Sequence, residues 1–127
     1  MKLRAICKSK IHHAVVTDAD LNYVGSIGID RALMALTDIV PGEQVSIWNV
    51  NNGQRIQTYA LELPEGSGRI VVNGAAARHF QPGDVIIIVA FCLTDEPVQP
   101  RMIVVDEHNR FAGDLTDSPP SEVLTAR

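Results

Sequence analysis

The chain has 127 residues, 46% hydrophobic and 20% charged, which fits one globular domain with its own core and leaves no room for a second. A net charge of −4 argues against a nucleic-acid partner, which calls for clustered Lys and Arg. Two cysteines, Cys7 and Cys92, make neither a disulfide framework nor a metal-ligand spacing. The longest strongly apolar run, from Val85 to Leu93, is too short to span a bilayer, and the opening MKLRAICKSK lacks a signal-peptide pattern, so a cytoplasmic protein with no membrane partner is expected.

In chain order, short β-branched runs between turn signals predict a mainly β chain. Strands are expected over 2–7, 10–17, 44–50, 55–63, 69–72, 84–93 and 101–106. Between them, Asn52-Gly53 suits a tight hairpin turn, and Glu65-Gly66-Ser67-Gly68, Pro41-Gly42 and Pro82-Gly83-Asp84 are further reversals. The segment DRALMALTD over 30–38 predicts a helix with Asp30 as its N-cap and with Leu33, Leu36 and Met34 on one face. Residues 74–80 suggest a short Ala-rich turn or helix. Residues 113–127, with Pro119-Pro120 and many small polar residues, read as a flexible tail beyond a domain over 1–112. Many short strands and few helices favour a small closed or interlocked barrel, since closure removes exposed sheet edges.

Four segments could carry chemistry. Gly25-Ser26 is by itself a loop signal, but a serine after glycine has a peptide carbonyl within reach of its own Oγ. If the fold strains that peptide, attack on the Gly25 carbonyl turns the amide into an ester. On the strand after Asn52-Gly53, the period of two puts Arg55, Gln57 and Tyr59 on one face and Thr58 on the other. Arg55 could fork onto a carboxylate and Tyr59 could donate a proton; an exposed strand face is the plainer reading. In Asn73-Gly74-Ala75-Ala76-Ala77 the small residues let a ligand approach backbone N–H groups, or mark a tightly packed helix start. Lys10 and His12 share a strand face and could hold a dicarboxylate, or be solvated. The neighbours His12 and His13 point to opposite strand faces and cannot chelate one metal, while His79 and His108 stand alone, so no metal site is predicted.

Taken together, these segments resemble the aspartate 1-decarboxylase family. The pieces are Lys8-Ser9-Lys10-Ile11-His12, Thr17-Asp18-Ala19-Asp20-Leu21, Tyr23-Val24-Gly25-Ser26, Ile47-Trp48-Asn49-Val50, Asn52-Gly53, Arg55, Thr58-Tyr59-Ala60, Asn73-Gly74-Ala75-Ala76-Ala77 and Pro82-Gly83-Asp84. They stand in the family's order and spacing across residues 1–93 and continue more weakly through 100–106. The resemblance implies a six-stranded double-psi β-barrel with short helices, assembled as a homotetramer with active sites between neighbouring subunits. It implies self-cleavage between Gly25 and Ser26 into fragments 1–25 and 26–127, with Ser26 becoming a covalent pyruvoyl cofactor. That group would hold L-aspartate as a Schiff base and release CO2 and β-alanine, the precursor of pantothenate. The resemblance further assigns Tyr59 as proton donor, Thr58 to maturation and the substrate pocket, and Lys10, Arg55, Asn73, Gly74, Ala75 and Ala76 to substrate binding. Position 24 is Val24 where some members carry an acidic residue, so a maturation helper protein is allowed for.

A cation on the departing α-carboxylate would stabilise the ground state, whereas one on the surviving β-carboxylate does not slow the reaction. Arg55 or Lys10 is therefore expected on the β-carboxylate, with the backbone N–H groups of Gly74, Ala75 and Ala76 orienting the substrate. Two other readings fit less of the pattern: an uncleaved, non-catalytic small β-barrel that binds a ligand, and a related enzyme acting on glutamate.

Overall fold

A computed structural model describes residues 1–115. The chain runs β1 (Arg4–Val15), β2 (Asp18–Asp20), β3 (Ile27–Asp30), α1 (Arg31–Thr37), β4 (Gln44–Asn49), β5 (Arg55–Leu63), β6 (Ile70–Asn73), a 3-10 turn (Gly74–Arg78), β7 (Val85–Thr94), β8 (Arg101–Val105) and β9 (Phe111–Asp114). It is mainly β, as expected. The described residues carry nine strands, in the order β2-β6-β3-β5-β4-β7-β1-β8-β9, a count that does not itself confirm a six-stranded barrel.

Several elements depart from the sequence expectation. The strands expected at 2–7 and 10–17 are one twelve-residue strand, β1. Its register against β7 shifts between Cys7 and Ser9 and between Ile11 and Ala14, so the polar Lys8-Ser9 is a bulge inside a strand and not a break. The second shift holds His13 at φ 62. It lays the two imidazoles expected on opposite faces against each other, ring centroids 3.9 Å apart. The Asp30 cap forms, its carboxylate accepting from Ala32 N at 2.9 Å. Leu33 and Met34 face the core, but Leu36 is 44% exposed, because seven residues make only two turns and the apolar stripe is narrow. The Asn52-Gly53 connection is wider than a two-residue turn: Asn49 N donates to Gln54 O, and Gly53 takes φ 78 inside the loop. Gly113 and Asp114 pair with β8 and Leu115 N donates to Met102 O at 2.8 Å, so the expected flexible tail does not begin at 113; residues 116–127 lie outside the described residues.

The sheet wraps around one core. Inward positions alternate with outward ones along each strand, giving Ile27 and Ile29 on β3, Val45 and Ile47 on β4, and Ile86, Ile88 and Ala90 on β7. Helix α1 packs against β1, β3 and β8. The ends of the strand order are tied together by buried polar groups. Asn109, in the β8–β9 turn, donates from Nδ2 to Val15 O and Gly68 O, both at 2.9 Å. The Asp30 carboxylate, 1% exposed, also accepts from Gly66 N at 3.0 Å and Gly68 N at 2.9 Å. No helix among the described residues is long and apolar enough to cross a membrane.

Candidate active site

The loop from β2 to β3 carries Gly25-Ser26. Gly25 takes φ +20 and Ser26 φ +92. A left-handed backbone at a residue with a Cβ costs roughly 1–3 kcal/mol and persists only where the surroundings impose it. The imposing group is Asn73-Gly74, at the end of β6. Asn73 N donates to Ser26 O at 3.0 Å, continuing the β3–β6 ladder past Ile27 and Val72. Asn73 Nδ2 donates to Ser26 Oγ at 3.2 Å. Gly74 then lies against Gly25: a Cβ built on Gly74 would stand 2.8 Å from Gly25 N and 2.9 Å from Gly25 Cα, so only glycine fits there. Ser26 has no solvent exposure at all.

A cleft of about 380 Å³ opens beside this pair. Ser26, Thr58, Asn73, Ala75 and Ala76 line it together with Gly25, and Ile56, Gln57 and His79 complete the wall. Strand β3 lies parallel to β5 with Ile27 opposite Ala60, which brings Thr58, two residues earlier on the same face as Ala60, level with the Gly25-Ser26 loop. The sharp turn after Asn73 lifts Ala75 and Ala76 to the opposite side. Tyr59, 40% exposed, does not line the cleft; its Oη is 3.9 Å from where a Gly25 Cβ would be, so it flanks the Gly25-Ser26 loop.

The two expected cations lie elsewhere in the single chain. Lys10 is on β1, separated from β5 by β7 and β4 in the sheet, and it pairs with Val89 and Met102. The Arg55 guanidinium stands 4.5 Å over the Trp48 ring on the neighbouring β4, a cation–π contact. Neither lines the cleft. His79, which looked isolated in sequence, does line it. Only the fold brings the end of the 3-10 turn up to β5; the one sequence signal was its position after the Asn73–Ala77 run. Cys7 and Cys92 are free, half-buried thiols, and burial pushes the Cys7 thiol pKa up. No group of three metal-ligating side chains occurs among the described residues.

The aspartate decarboxylase family matches residues 1–112. The aspartate 1-decarboxylase of Thermoanaerobacter pseudethanolicus is 53% identical over 111 residues, covering 84% of this chain and 95% of the relative. That of Moorella thermoacetica is 49% identical over 124 residues, 94% of this chain and 97% of the relative. That of Hyphomonas neptunium is 59% identical over 88 residues, 69% and 75% of the two chains. A match over nearly the whole described chain, together with relatives sharing about half of its residues, places this chain in the aspartate decarboxylase family.

Proposed function

We propose that this chain cuts itself between Gly25 and Ser26, converts Ser26 into a pyruvoyl group, and with it decarboxylates L-aspartate to β-alanine on the way to pantothenate. The observation that carries the reading is the left-handed, fully buried Ser26 clamped by Asn73 and Gly74. A peptide already displaced from its relaxed geometry is part-way to the attack of Oγ on the Gly25 carbonyl carbon. The C–N bond then breaks as the acyl group moves to oxygen. Loss of the Ser26 α-proton expels the Gly25 carboxylate, and water replaces the nitrogen, which leaves as ammonia.

The surroundings suit a small ketone at this point. Asn73 Nδ2 already points at the side-chain oxygen, and the cleft in front is walled by small residues, Ala75 and Ala76. When present, the pyruvoyl ketone supplies an electron sink for the charge released with CO2. The chain's own groups then orient the substrate. Thr58 and the backbone at Ala75 and Ala76 face it, and Tyr59, flanking Gly25, is the proton donor. The cation for the β-carboxylate, Arg55 or Lys10, would come from a neighbouring copy, because within one chain neither lines the cleft. This supports a homotetramer with shared sites. A maturation helper protein would meet Tyr23 and Val24, both exposed on the cleavage loop.

Intact-mass analysis of denatured protein tests the reading. Two fragments, 1–25 and 26–127, are expected, the larger one lighter by one ammonia than a chain beginning at a free serine, and blocked to N-terminal sequencing. Ser26→Ala is expected to stay whole. A single uncut chain after prolonged warming of the unsubstituted protein would sink the proposal.

A further inference from the structure

We propose that Asn49 and Asn52 are positioning residues for the decarboxylase: their amides hold the His79 carbonyl, and with it the turn that walls the cleft, after Gly25-Ser26 is cut. This rests on the decarboxylase reading above. The turn, Gly74–Arg78, carries Ala75 and Ala76, which line the cleft. It is suspended between two anchors. At its start, Asn73 Nδ2 donates to Ser26 Oγ at 3.2 Å and Gly74 lies against Gly25. At its end, the His79 carbonyl oxygen accepts from Asn49 Nδ2 at 3.0 Å and from Asn52 Nδ2 at 2.9 Å. The His79 N–H donates in turn to Ala76 O at 3.0 Å. A single residue therefore links both asparagines to the cleft wall.

The second anchor has a rigid base. Asn49 ends β4, which pairs with β5 on one side and β7 on the other. It is buried, and its Oδ1 accepts from Asn51 N at 2.9 Å. Its Nδ2 also donates to Asp84 Oδ2 at 2.8 Å, and the same carboxylate oxygen accepts from Gln81 N at 3.1 Å. The chain just past His79 is thereby fixed to the same pair of side chains. Asn52 is exposed, but its Oδ1 accepts from Gln54 N at 2.9 Å, which leaves its Nδ2 aimed at the His79 carbonyl. A carbonyl at the end of a helical turn needs such outside donors. Two amides converging on one oxygen hold it in a directed geometry and support the groups that meet the substrate.

The two anchors differ in what maturation does to them. In the proposed elimination, Ser26 Oγ leaves as part of the Gly25 carboxylate, so Asn73 Nδ2 loses this acceptor. Gly25 becomes a chain end no longer bonded to residue 26, and the first anchor keeps the ladder bond from Asn73 N to Ser26 O. The asparagine anchor contains no atom of the cut peptide and keeps both of its bonds. Before cleavage the turn is held firmly at each end; afterwards more of the restraint falls on Asn49 and Asn52. Their effect is therefore on substrate binding by the cut enzyme and not on self-cleavage, the reverse of the contact between Gly74 and Gly25.

The test uses the fully matured enzyme, with the time course of self-cleavage measured in each variant. Asn49 is buried and bonded in several directions, so the exposed Asn52 is the handle. Asn52→Asp keeps the acceptor for Gln54 N but sets an oxygen where the donor to His79 O stood. It is expected to cleave like the unsubstituted chain and to raise KM for L-aspartate roughly threefold to tenfold, the range for one hydrogen bond. Its kcat should stay within about twofold. Asn51→Asp is the control for charge: it adds the same charge one residue away and keeps the Oδ1 acceptor for Val85 N at 2.7 Å, so its KM should stay within about twofold. As a readout independent of turnover, the His79 amide should lose hydrogen-exchange protection in Asn52→Asp and keep it in Asn51→Asp. An unchanged KM or unchanged His79 protection in Asn52→Asp would overturn the assignment, as would slowed self-cleavage, a loss confined to kcat, or an equal rise in KM for Asn51→Asp. Failure of the unsubstituted chain to cleave or turn over aspartate would instead refute the decarboxylase reading, and the exchange measurement, which reads the tether in cut and uncut chains alike, separates the two.

Discussion

The contact between Gly74 and Gly25 is the sharpest structural demand at the site, and Gly74→Ala tests it. The added methyl would meet Gly25 N at 2.8 Å, Gly25 Cα at 2.9 Å and Tyr23 O at 3.1 Å, all backbone atoms that no rotamer change can move. Ordinary contact begins near 3.5 Å, so the cleavage loop must retreat by roughly 0.7 Å. Gly74 also has φ +66, where an alanine costs about 1–2 kcal/mol. Overpacking adds about 1–3 kcal/mol. For a domain of this size the sum lowers Tm by roughly 10–20 °C. A displacement approaching 1 Å at the reacting peptide should slow self-cleavage on the order of a hundredfold. Gly53→Ala is the control: its φ is +78 but nothing lies within 4 Å of the new Cβ, so it carries only the backbone cost and should cleave normally. Denaturing gels over a time course, with thermal melts on both variants, give the result. If Gly74→Ala cleaves as fast as the control, the grip of Asn73-Gly74 on the loop is not what prepares the peptide for attack.

Tyr59→Phe should mature fully, since Tyr59 flanks the loop without bonding Ser26, while decarboxylation falls by about 10²–10⁴-fold; an active variant would remove Tyr59 as proton donor. Asp30→Ala strips the acceptor from Ala32 N, Gly66 N and Gly68 N in a buried position, so urea melts should show a loss of about 3–5 kcal/mol. A loss under about 1 kcal/mol would mean that water replaces the carboxylate. The N–H groups of Arg110 and His108 hold the Asp106 carboxyl below the usual carboxylate range. Its contribution is therefore complete above the unfolded value near about 3.9 and lost as pH falls through the lower folded one. Protection of the β8–β9 turn amides, taken relative to the intrinsic exchange rate at each pH, should fall on acidification below about pH 4, and Asp106→Asn should flatten that dependence.

Local pattern made some of this legible in the sequence and left the rest to long-range contacts. The period of two on β5 is real: Arg55, Gln57 and Tyr59 are exposed and Ile56, Thr58 and Ala60 turn inward. Asp30 reads as a cap because the helix signal is local; its hold on Gly66 and Gly68, more than thirty residues away, leaves no mark on the segment itself. Strands β2 and β3 escape pattern reading because three or four residues are too few for a period. Lys8-Ser9 looks like a break because its polarity is local, whereas its partners are remote: Lys8 Nζ pairs with Glu43 Oε2 at 2.9 Å, and Ser9 Oγ donates to Thr37 O. At the site, the Ser26, Thr58 and Asn73 grouping came from family resemblance; the separation of Lys10 from it came only from the strand order, and that Arg55, on the same strand as Thr58, lies over Trp48 came only from the packing. His79 carried no motif at all.

The place of β1 in the sheet sets an order of events. This strand runs between β7 and β8, and β2 pairs with β6 at the edge, so both strands before Gly25 are hydrogen-bonded to strands that come after it. A chain severed there would not shed its first segment, because both flanks of β1 stay hydrogen-bonded. Conversely, residues 26–127 alone would present the open edges of β7 and β8 and have nothing to fill the gap. The strained peptide exists only once β6, distant in sequence, has arrived beside the loop. Self-cleavage at this bond, as proposed, would therefore report completed folding: a molecule that has not assembled would have no strained peptide to break, and one that has assembled could spare it.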